Sequence, residues 1–181
     1  MSSFHFSNFQ LKEDTHYFFY IGELKNYGLN YYLRNALTRI YNQKFDFIAI
    51  VPDVFEQYNY DNLIVINPLI ENYKNHYGSN VHCRVSAGEF MAAVSKNQEV
   101  LSLIERVLKT QPNIFLYMYE SLEEMTLDSL PNESILGPDK HIAKRLNNKA
   151  LQLSELNDIV PVVDFKICQD YTELIQTTDR L

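Results

Sequence analysis

Blocks of apolar residues alternate with amphipathic stretches along most of the chain. Apolar runs occupy residues 17–21 and 63–66, runs with a single polar residue occupy residues 45–51 and 113–119, and a weaker one occupies residues 81–85. Runs of this length and composition are typical of strands that helices cover on both faces, as in a parallel sheet. The pattern therefore predicts these five strands.

Helical spacing connects the predicted strands. Apolar residues recur at helical intervals over residues 29–40, and two further helical patterns cover residues 87–109. A short helix is predicted over residues 69–77, and a loop or a loose helical turn over residues 53–62. Because strands alternate with helices, we expect an α/β fold: a mainly parallel sheet flanked by helices, Rossmann-like, with a short helical C-terminal segment. The predicted core-facing residues of the two stronger helical patterns are Leu29, Leu33, Leu37, Ile40, Val100, Leu101, Ile104, Val107 and Leu108.

The alternation of strands and helices ends near residues 132–137. We therefore expect an α/β domain over residues 1–134 and the start of a second, incomplete domain over residues 135–181. All six prolines fall at the edges of predicted elements, which is where proline is tolerated.

The segment over residues 135–161 is the most distinctive part of the chain. It begins with a Gly-Pro turn at residues 137–138 and ends with a Val-Pro pair at residues 160–161. One amphipathic helix is predicted between them, with Lys149 at its middle and beside its apolar stripe. A lysine in such a position is usually a solvated surface residue, so a function for Lys149 depends on its context. The stripe comprises Ile142, Leu146, Ala150 and Leu153.

Charge narrows the classes of function. The formal net charge is −7 at pH 7. A general binder of nucleic-acid backbones needs a basic face, so no nucleic-acid partner is expected. A small anion is still compatible, because a helix N-terminus and one lysine hold a phosphate without a basic surface.

Other motifs exclude further kinds of site. Cys83 and Cys168 lack the spacing of a metal or redox motif and are predicted to be free thiols, the second within a β-like run. The five histidines show no ligand spacing, so no metal is expected. No leader pattern and no apolar run long enough to cross a bilayer occur, so we expect a cytoplasmic protein without a membrane partner. Ser86 and Glu89 have the spacing of a helix capping box.

The distinctive segment resembles a junction found in the ATP-grasp ligases, such as biotin carboxylase and its relatives. There, the N-terminal pre-ATP-grasp domain meets the nucleotide-binding domain. The matching residues are the Gly-Pro turn at residues 137–138, the pair Asn148 and Lys149, and the exit at residues 159–161. Asn148 stands where the family has an acidic or small residue, and Asp158 stands where it has glycine.

The resemblance extends upstream of the junction. Residues 121–124 match an acidic T/S-x-x-E turn of the peptide-ligase-type members. The match is best over residues 95–165, whereas over residues 17–85 it consists of the general strand–helix pattern.

The resemblance implies ATP-dependent ligation of a carboxylate to an amine. Lys149 would approach the phosphates of ATP, where a cation offsets charge during formation of an acyl phosphate. ATP and Mg²⁺ are the implied cofactors, and the Mg²⁺ ligands would lie outside this chain.

The resemblance also implies that loops at the carboxyl ends of the strands bind a small carboxylate substrate. The first such loop contains Gly22, Glu23, Asn26, Tyr27 and Gly28. Ordinary turn chemistry is the competing interpretation, because a glycine in such a loop needs only local backbone reasons.

The family's glycine-rich loop, second phosphate lysine and metal carboxylates do not fit within residues 164–181. The chain is therefore not expected to be active alone. Its expected partner is the remaining ATP-grasp domain, in cis or in trans, and a homodimer is a further candidate. The alternative is a non-catalytic α/β module that binds a protein partner or a small anion. A flavodoxin-like or receiver-type domain fits less well, because only Glu23 stands where such domains have an acidic pair.

Overall fold

A computed structural model describes most of the chain and divides it into two compact units, Met1–His141 and Ile142–Leu181. The expected domain boundary at residues 134/135 falls inside a strand of the first unit. The helix predicted over residues 69–77, the strand predicted over residues 81–85 and Cys83 lie largely or wholly outside the described residues. The described residues are 3–6, 10–54, 60, 62–70, 85–118, 122–127 and 133–178.

The described strands all lie in the first unit, and the helices lie in both units. The strands are β1 (Ser3–Phe6), β2 (His16–Ile21), β3 (Phe45–Val51), β4 (Leu63–Asn67), β5 (Ile114–Tyr117) and β6 (Glu133–Leu136). The helices are α1 (Leu29–Tyr41), α2 (Ala87–Lys96), α3 (Gln98–Leu108), α4 (Lys140–Asn147), α5 (Lys149–Leu156) and α6 (Tyr171–Thr178).

The strands form one six-stranded sheet in the order β1-β4-β3-β2-β5-β6. β2 to β6 are mutually parallel, and β1 runs antiparallel to β4 at the edge. β2 lies at the centre: it pairs with β3 from His16 to Ile21 and with β5 through Phe18 to Tyr20. The predicted α/β fold with a mainly parallel sheet is confirmed. β1 and β6 were not predicted.

Helices cover both faces of the sheet. Leu37 of α1 packs on the face that carries Phe18 and Phe47. Val94 of α2 and Ile104 of α3 pack on the opposite face, which carries Phe19 and other fully buried side chains. β2, β3 and β4 are therefore mainly apolar on both faces, as their largely apolar runs predicted.

The predicted core-facing stripe of α1 is wrong at both ends. Leu29 and Ile40 are exposed, and the buried residues of the helix are Asn30 and Leu37. Asn30 lies about two turns before Leu37, on the line that faces the sheet. The apolar pattern missed this line because it begins with a polar residue.

The two helical patterns predicted over residues 87–109 are confirmed as α2 and α3, which Asn97 separates. Ser86 begins α2 with the predicted capping box: the Glu89 N–H donates to Ser86 Oγ, and the Ser86 N–H donates to the Glu89 carboxylate. Asn97 caps α3 in the same way by accepting hydrogen bonds from the Glu99 and Val100 N–H groups. In α3, Leu101 is half-buried and packs against the core as predicted, and Leu103, which was not predicted, is buried there too.

A side-chain clamp joins β2 to the segment that precedes β5. Gln111 is buried, its Oε1 accepts from the Tyr17 N–H at 2.7 Å, and its Nε2 donates to the Tyr17 carbonyl at 2.9 Å. The same Nε2 also donates to the Asn113 carbonyl at 2.6 Å. β5 is shorter than the predicted strand over residues 113–119, and one of its faces is only half-buried.

The second unit consists of short helices and extended chain. The single helix predicted through Lys149 is wrong, because the helix breaks at Asn148 into α4 and α5. The β-like run predicted around Cys168 is also wrong, since residues 161–168 form no strand. Cys168 itself is a half-buried free thiol, as predicted. The predicted terminal helix is present as α6.

Candidate functional site

The strand order defines one place where a ligand site is expected. Among the parallel strands, the chain moves from β2 outward to β3 and β4, and then crosses back to β5 and β6 on the other side of β2. The direction of the strand order therefore reverses between β2 and β5. Open α/β sheets bind ligands at this kind of reversal point. All five residues predicted to bind substrate lie in the loop after β2.

The loop after β2 is held by its own hydrogen bonds. The Gly22 N–H donates to the Ile50 carbonyl at 3.2 Å, and Leu24–Asn26 forms one 3₁₀ turn. The hydroxyl of Tyr20 donates to the Glu23 carbonyl at 2.6 Å, and this bond ties the loop to the carboxyl end of β2. Its backbone path is therefore set before any ligand binds.

Gly22 is explained by packing. A Cβ at this position would lie 2.7 Å from the hydroxyl oxygen of Tyr20. Tyr20 is fully buried and hydrogen-bonded to the loop, so it has no room to move aside. This contact supports the turn-chemistry interpretation for Gly22.

Tyr20 is a hydrogen-bond donor rather than an acid at this edge. Burial raises the pKa of its hydroxyl, the neighbouring Tyr117 and Glu23 raise it further, and a hydrogen bond with the Asn26 side chain opposes the rise. The hydroxyl stays protonated at neutral pH and keeps its bond to the loop. Asn26 therefore has a structural partner in Tyr20.

Tyr27 belongs to an aromatic cluster under the loop. Its ring packs edge-on against Tyr31, Phe47 and Tyr60, with ring centroids 5.9, 5.5 and 5.1 Å away. The side chain is buried, and edge-to-face pairs of this kind stabilise a core. The Tyr27 ring thus anchors the loop, and its backbone carbonyl faces the first turn of α1.

Glu23 and Gly28 are the exposed members of the predicted set. The Glu23 carboxylate forms a 2.5 Å ion pair with Lys25, and both side chains are mostly exposed. Gly28 is the N-cap of α1, where no side chain caps the helix and no acidic residue stands in the first turn. Among the described residues, no atom beyond the local turn lies within 4 Å of where a Gly28 Cβ would be.

Asn30 is a residue of this site that the sequence pattern missed. Its Nδ2 donates to the Tyr27 carbonyl at 2.9 Å, so its amide lies beside the first turn of α1. The side chain is fully buried, yet its Oδ1 has no hydrogen-bond partner among the described residues. The sequence signal for this residue was its helical spacing from Leu37, which places it on the side of α1 that faces the sheet. A polar residue there needs a hydrogen-bond partner.

Lys149 lies in the other compact unit, exposed at the first position of α5. The side chain of Asn148, which precedes it, accepts hydrogen bonds from the N–H groups of Ala150 and Leu151. The first turn of α5 is thus capped by its own chain. The structure does not bring Lys149 together with the loop residues within one unit.

The predicted acidic turn is described only from residue 122 onward, because Ser121 lies outside the described residues. Glu123 Oε1 lies 3.7 Å from His141 Nδ1. Glu124 lies over the start of α2, where a Cβ on Gly88 would be 2.9 Å from its carboxylate oxygen. An anion at a helix N-terminus is favourable, so this carboxylate stabilises α2.

In the described part of the chain, no group of three or more His, Cys, Asp or Glu side chains has the arrangement of a metal site. None of the helices in those same residues has the length and apolar character needed to cross a membrane.

Comparison with protein-family models, with curated proteins and with solved structures finds no match to this chain.

Proposed function

We propose that this chain is the N-terminal part of a cytoplasmic ATP-dependent carboxylate–amine ligase of the ATP-grasp type. The sheet unit supplies the substrate loop after β2, and Lys149 supplies one cation for the phosphates of ATP. Mg²⁺ and the remaining ATP-grasp domain, in cis or in trans, supply the rest of the enzyme. The observation that carries the proposal is Lys149, exposed on the first turn of α5 between the Gly-Pro turn at residues 137–138 and the Val-Pro exit at residues 160–161.

The local geometry around Lys149 suits a phosphate contact through its side chain. Asn148 already occupies the N–H groups of Ala150 and Leu151, so the backbone of this turn is not the anion ligand. An exposed ammonium group on a flexible stem reaches a phosphate as a point charge. The positive end of the α5 dipole adds to the same attraction.

The position of the substrate loop supports the other half of the proposal. The loop over residues 22–28 leaves the central strand at the reversal point of the sheet, where open α/β folds bind ligands. Its exposed members, Glu23 and Gly28, are the groups available to a small carboxylate and its amine partner.

The test uses the polypeptide that contains this sequence, purified from its own cells. ADP formation is measured with mixtures of carboxylates and amines, for the wild type and for Lys149→Ala. Loss of one cation from a phosphate site is expected to lower kcat/KM for ATP by roughly 100-fold. Lys109→Ala, which removes an exposed lysine from the sheet unit, is the matched control and should leave the rate unchanged. Wild-type activity in Lys149→Ala contradicts the proposal.

A non-catalytic binding module is the second candidate. The observation in its favour is that the sheet unit has its own core and carries the entire loop site. In that case the purified polypeptide binds a small anion or a protein without turning over ATP. Ligand binding that persists in a preparation with no ATP turnover under any mixture would favour this candidate over the ligase.

A further inference from the structure

We propose that residues 162–168 pair as an antiparallel strand with the same segment of a second copy of this chain, so that the protein forms a dimer. This inference goes beyond the proposed function, because it concerns assembly and involves neither the loop after β2 nor Lys149. The segment has exposed apolar side chains, an unpaired backbone and a symmetric order of charges.

Side chains alternate between the two sides of this segment. Lys166 Nζ donates to Thr177 Oγ1 at 2.9 Å, and Cys168 Sγ lies 3.8 Å from the same oxygen. Side chains two residues apart that reach one atom lie on the same side of an extended chain. Residues 161–168 form no helix, turn or bend, which agrees with an extended course. The apolar residues on the other side are exposed: Val163 at 74%, Phe165 at 37% and Ile167 at 42%.

The backbone of the segment is unpaired. Within the part of the chain that the structure describes, no N–H or carbonyl group of residues 162–168 forms a hydrogen bond. An extended stretch of this kind, with β-branched and aromatic side chains, is a template for another strand. Addition of a strand would satisfy these backbone groups and cover the apolar side chains beside them.

The order of charges identifies a second copy as the added strand. Phe165 has an acid, Asp164, directly before it and a base, Lys166, directly after it. In an antiparallel pair centred on Phe165, Asp164 lies opposite the partner's Lys166, and Lys166 lies opposite the partner's Asp164. Opposite charges that face each other in this way stabilise a pair of strands. A parallel pair in register would place like charges against each other.

The same register also matches the apolar residues. Phe165 lies opposite the partner's Phe165, and Val163 lies opposite the partner's Ile167. Moving the centre of the pairing by one residue, to Asp164 or to Lys166, places that charge against its own copy. Lys166 Nζ is also 3.5 Å from Glu173 Oε1, but an ammonium group has three donors and therefore has capacity for the partner's Asp164 as well.

The first experiment is sedimentation velocity of the 181-residue chain over a series of concentrations. We expect a reversible dimer. Asp164→Lys should raise its dissociation constant by about 10-fold, because two opposite-charge pairs become two like-charge pairs. Asp158→Lys, which makes the same change at an exposed position in the same unit, is the matched control and should dimerise as the wild type does. A monomer at every concentration, or an unchanged dissociation constant in Asp164→Lys, overturns the proposal.

Mixing two variants tests the charge pairing itself. Asp164→Lys carries a base on both sides of Phe165, and Lys166→Glu carries an acid on both sides. Each alone should dimerise weakly, whereas a mixture of the two should form a heterodimer more tightly than either homodimer. Loss of the local contact between Lys166 and Glu173 would not be repaired by mixing. A mixture that associates no more tightly than the separate variants overturns the pairing.

A disulfide tests the register. Val162 lies opposite the partner's Cys168 in the proposed pair, and the chain has two cysteines. In a Cys83→Ser background, Val162→Cys should therefore form disulfide-linked dimers when diamide removes two electrons and two protons from each pair of thiols. Positions 162 and 168 of one extended chain are about 20 Å apart, too far for a disulfide within the chain.

The matched control for the disulfide is Val163→Cys in the same background. Residue 163 is more exposed than residue 162 but lies on the opposite side of the strand from Cys168. It should give much less dimer on a non-reducing gel. Equal amounts of dimer from Val162→Cys and Val163→Cys, or none from either, overturn the register.

Discussion

The two compact units differ in where their apolar side chains lie. In the sheet unit, residues such as Phe47 and Ile104 are almost completely buried, and both faces of the sheet are packed. In residues 142–178, Ala143 is the only buried residue, whereas Ile159 and Tyr171 are 74% and 75% exposed. The sheet unit therefore has its own hydrophobic core, and the described part of the second unit does not.

The two units are therefore stabilised by different interactions. Burial of apolar area stabilises the sheet unit. In the second unit the stabilising interactions are local, such as helix caps and the 2.6 Å ion pair between Arg145 and Glu155. This ion pair is exposed and contributes little. Stability measurements should therefore respond to the first unit far more than to the second.

Removing an aromatic ring from the core should destabilise the protein most. Phe47→Ala should lower the free energy of unfolding by about 3 to 5 kcal/mol, because it leaves a cavity on a packed face. Ile159→Ala, in the second unit, should change it by less than about 0.5 kcal/mol. Urea unfolding followed by circular dichroism measures both. A comparable loss in Ile159→Ala would show that the second unit has a core of its own.

An intermediate effect is expected at the clamp of the central strand. Gln111→Leu should cost about 3 kcal/mol, because the buried backbone groups of Tyr17 lose their partners. Gln176→Leu, at an exposed position in α6, should stay within about 0.5 kcal/mol. Urea unfolding curves of the two variants measure these free energies. An unchanged free energy of unfolding in Gln111→Leu would show that the clamp does not stabilise the sheet.

The smallest effect concerns acid pH. Hydrogen bonds from the Ser86 hydroxyl and backbone lower the pKa of Glu89 in the sheet unit, and a backbone hydrogen bond from Gln169 lowers that of Glu173 in the second unit. A lowered folded pKa gives stability that is present above the ordinary value of 4.5 and is lost as the pH falls through the folded value.

Only the Glu89 interaction should appear in the melting of the sheet unit. Glu89→Gln should therefore melt below the wild type at neutral pH, and this difference should shrink on acidification. Glu173→Gln should leave the melting temperature unchanged across the same range. Thermal melts from neutral pH into the acid range provide the measurement, and a pH-independent difference for Glu89→Gln would contradict it.

Much of the fold could be predicted because its strands are apolar on both faces. Largely apolar runs such as residues 45–51 indicate buried parallel strands without reference to tertiary context. β1 and β6 escaped prediction because they are short, four-residue strands at the sheet edges whose existence depends on pairing with β4 and β5. The break at Asn148 was missed because the apolar stripe continues across it, whereas the cap that causes it is a local polar contact.

The site was only partly predictable. The loop over residues 22–28 was named as a candidate through the family resemblance, and the strand order places that loop at the reversal point of the sheet. The sequence did not show that Tyr20 and Tyr27 fix the loop from below, because ring contacts and burial depend on packing. Asn30 was missed because its polarity concealed its place on the buried side of α1.

The central place of β2 also has a consequence during synthesis. One edge of this strand pairs soon with β3, but its other edge waits for β5, and the Tyr17–Gln111 bond spans 94 residues. Until Gln111 and β5 emerge from the ribosome, β2 is an apolar strand with one unpaired edge that neighbouring nascent chains can bind. Such open edges promote aggregation, so the chain should depend on chaperones most while the segment between β4 and β5 is being translated.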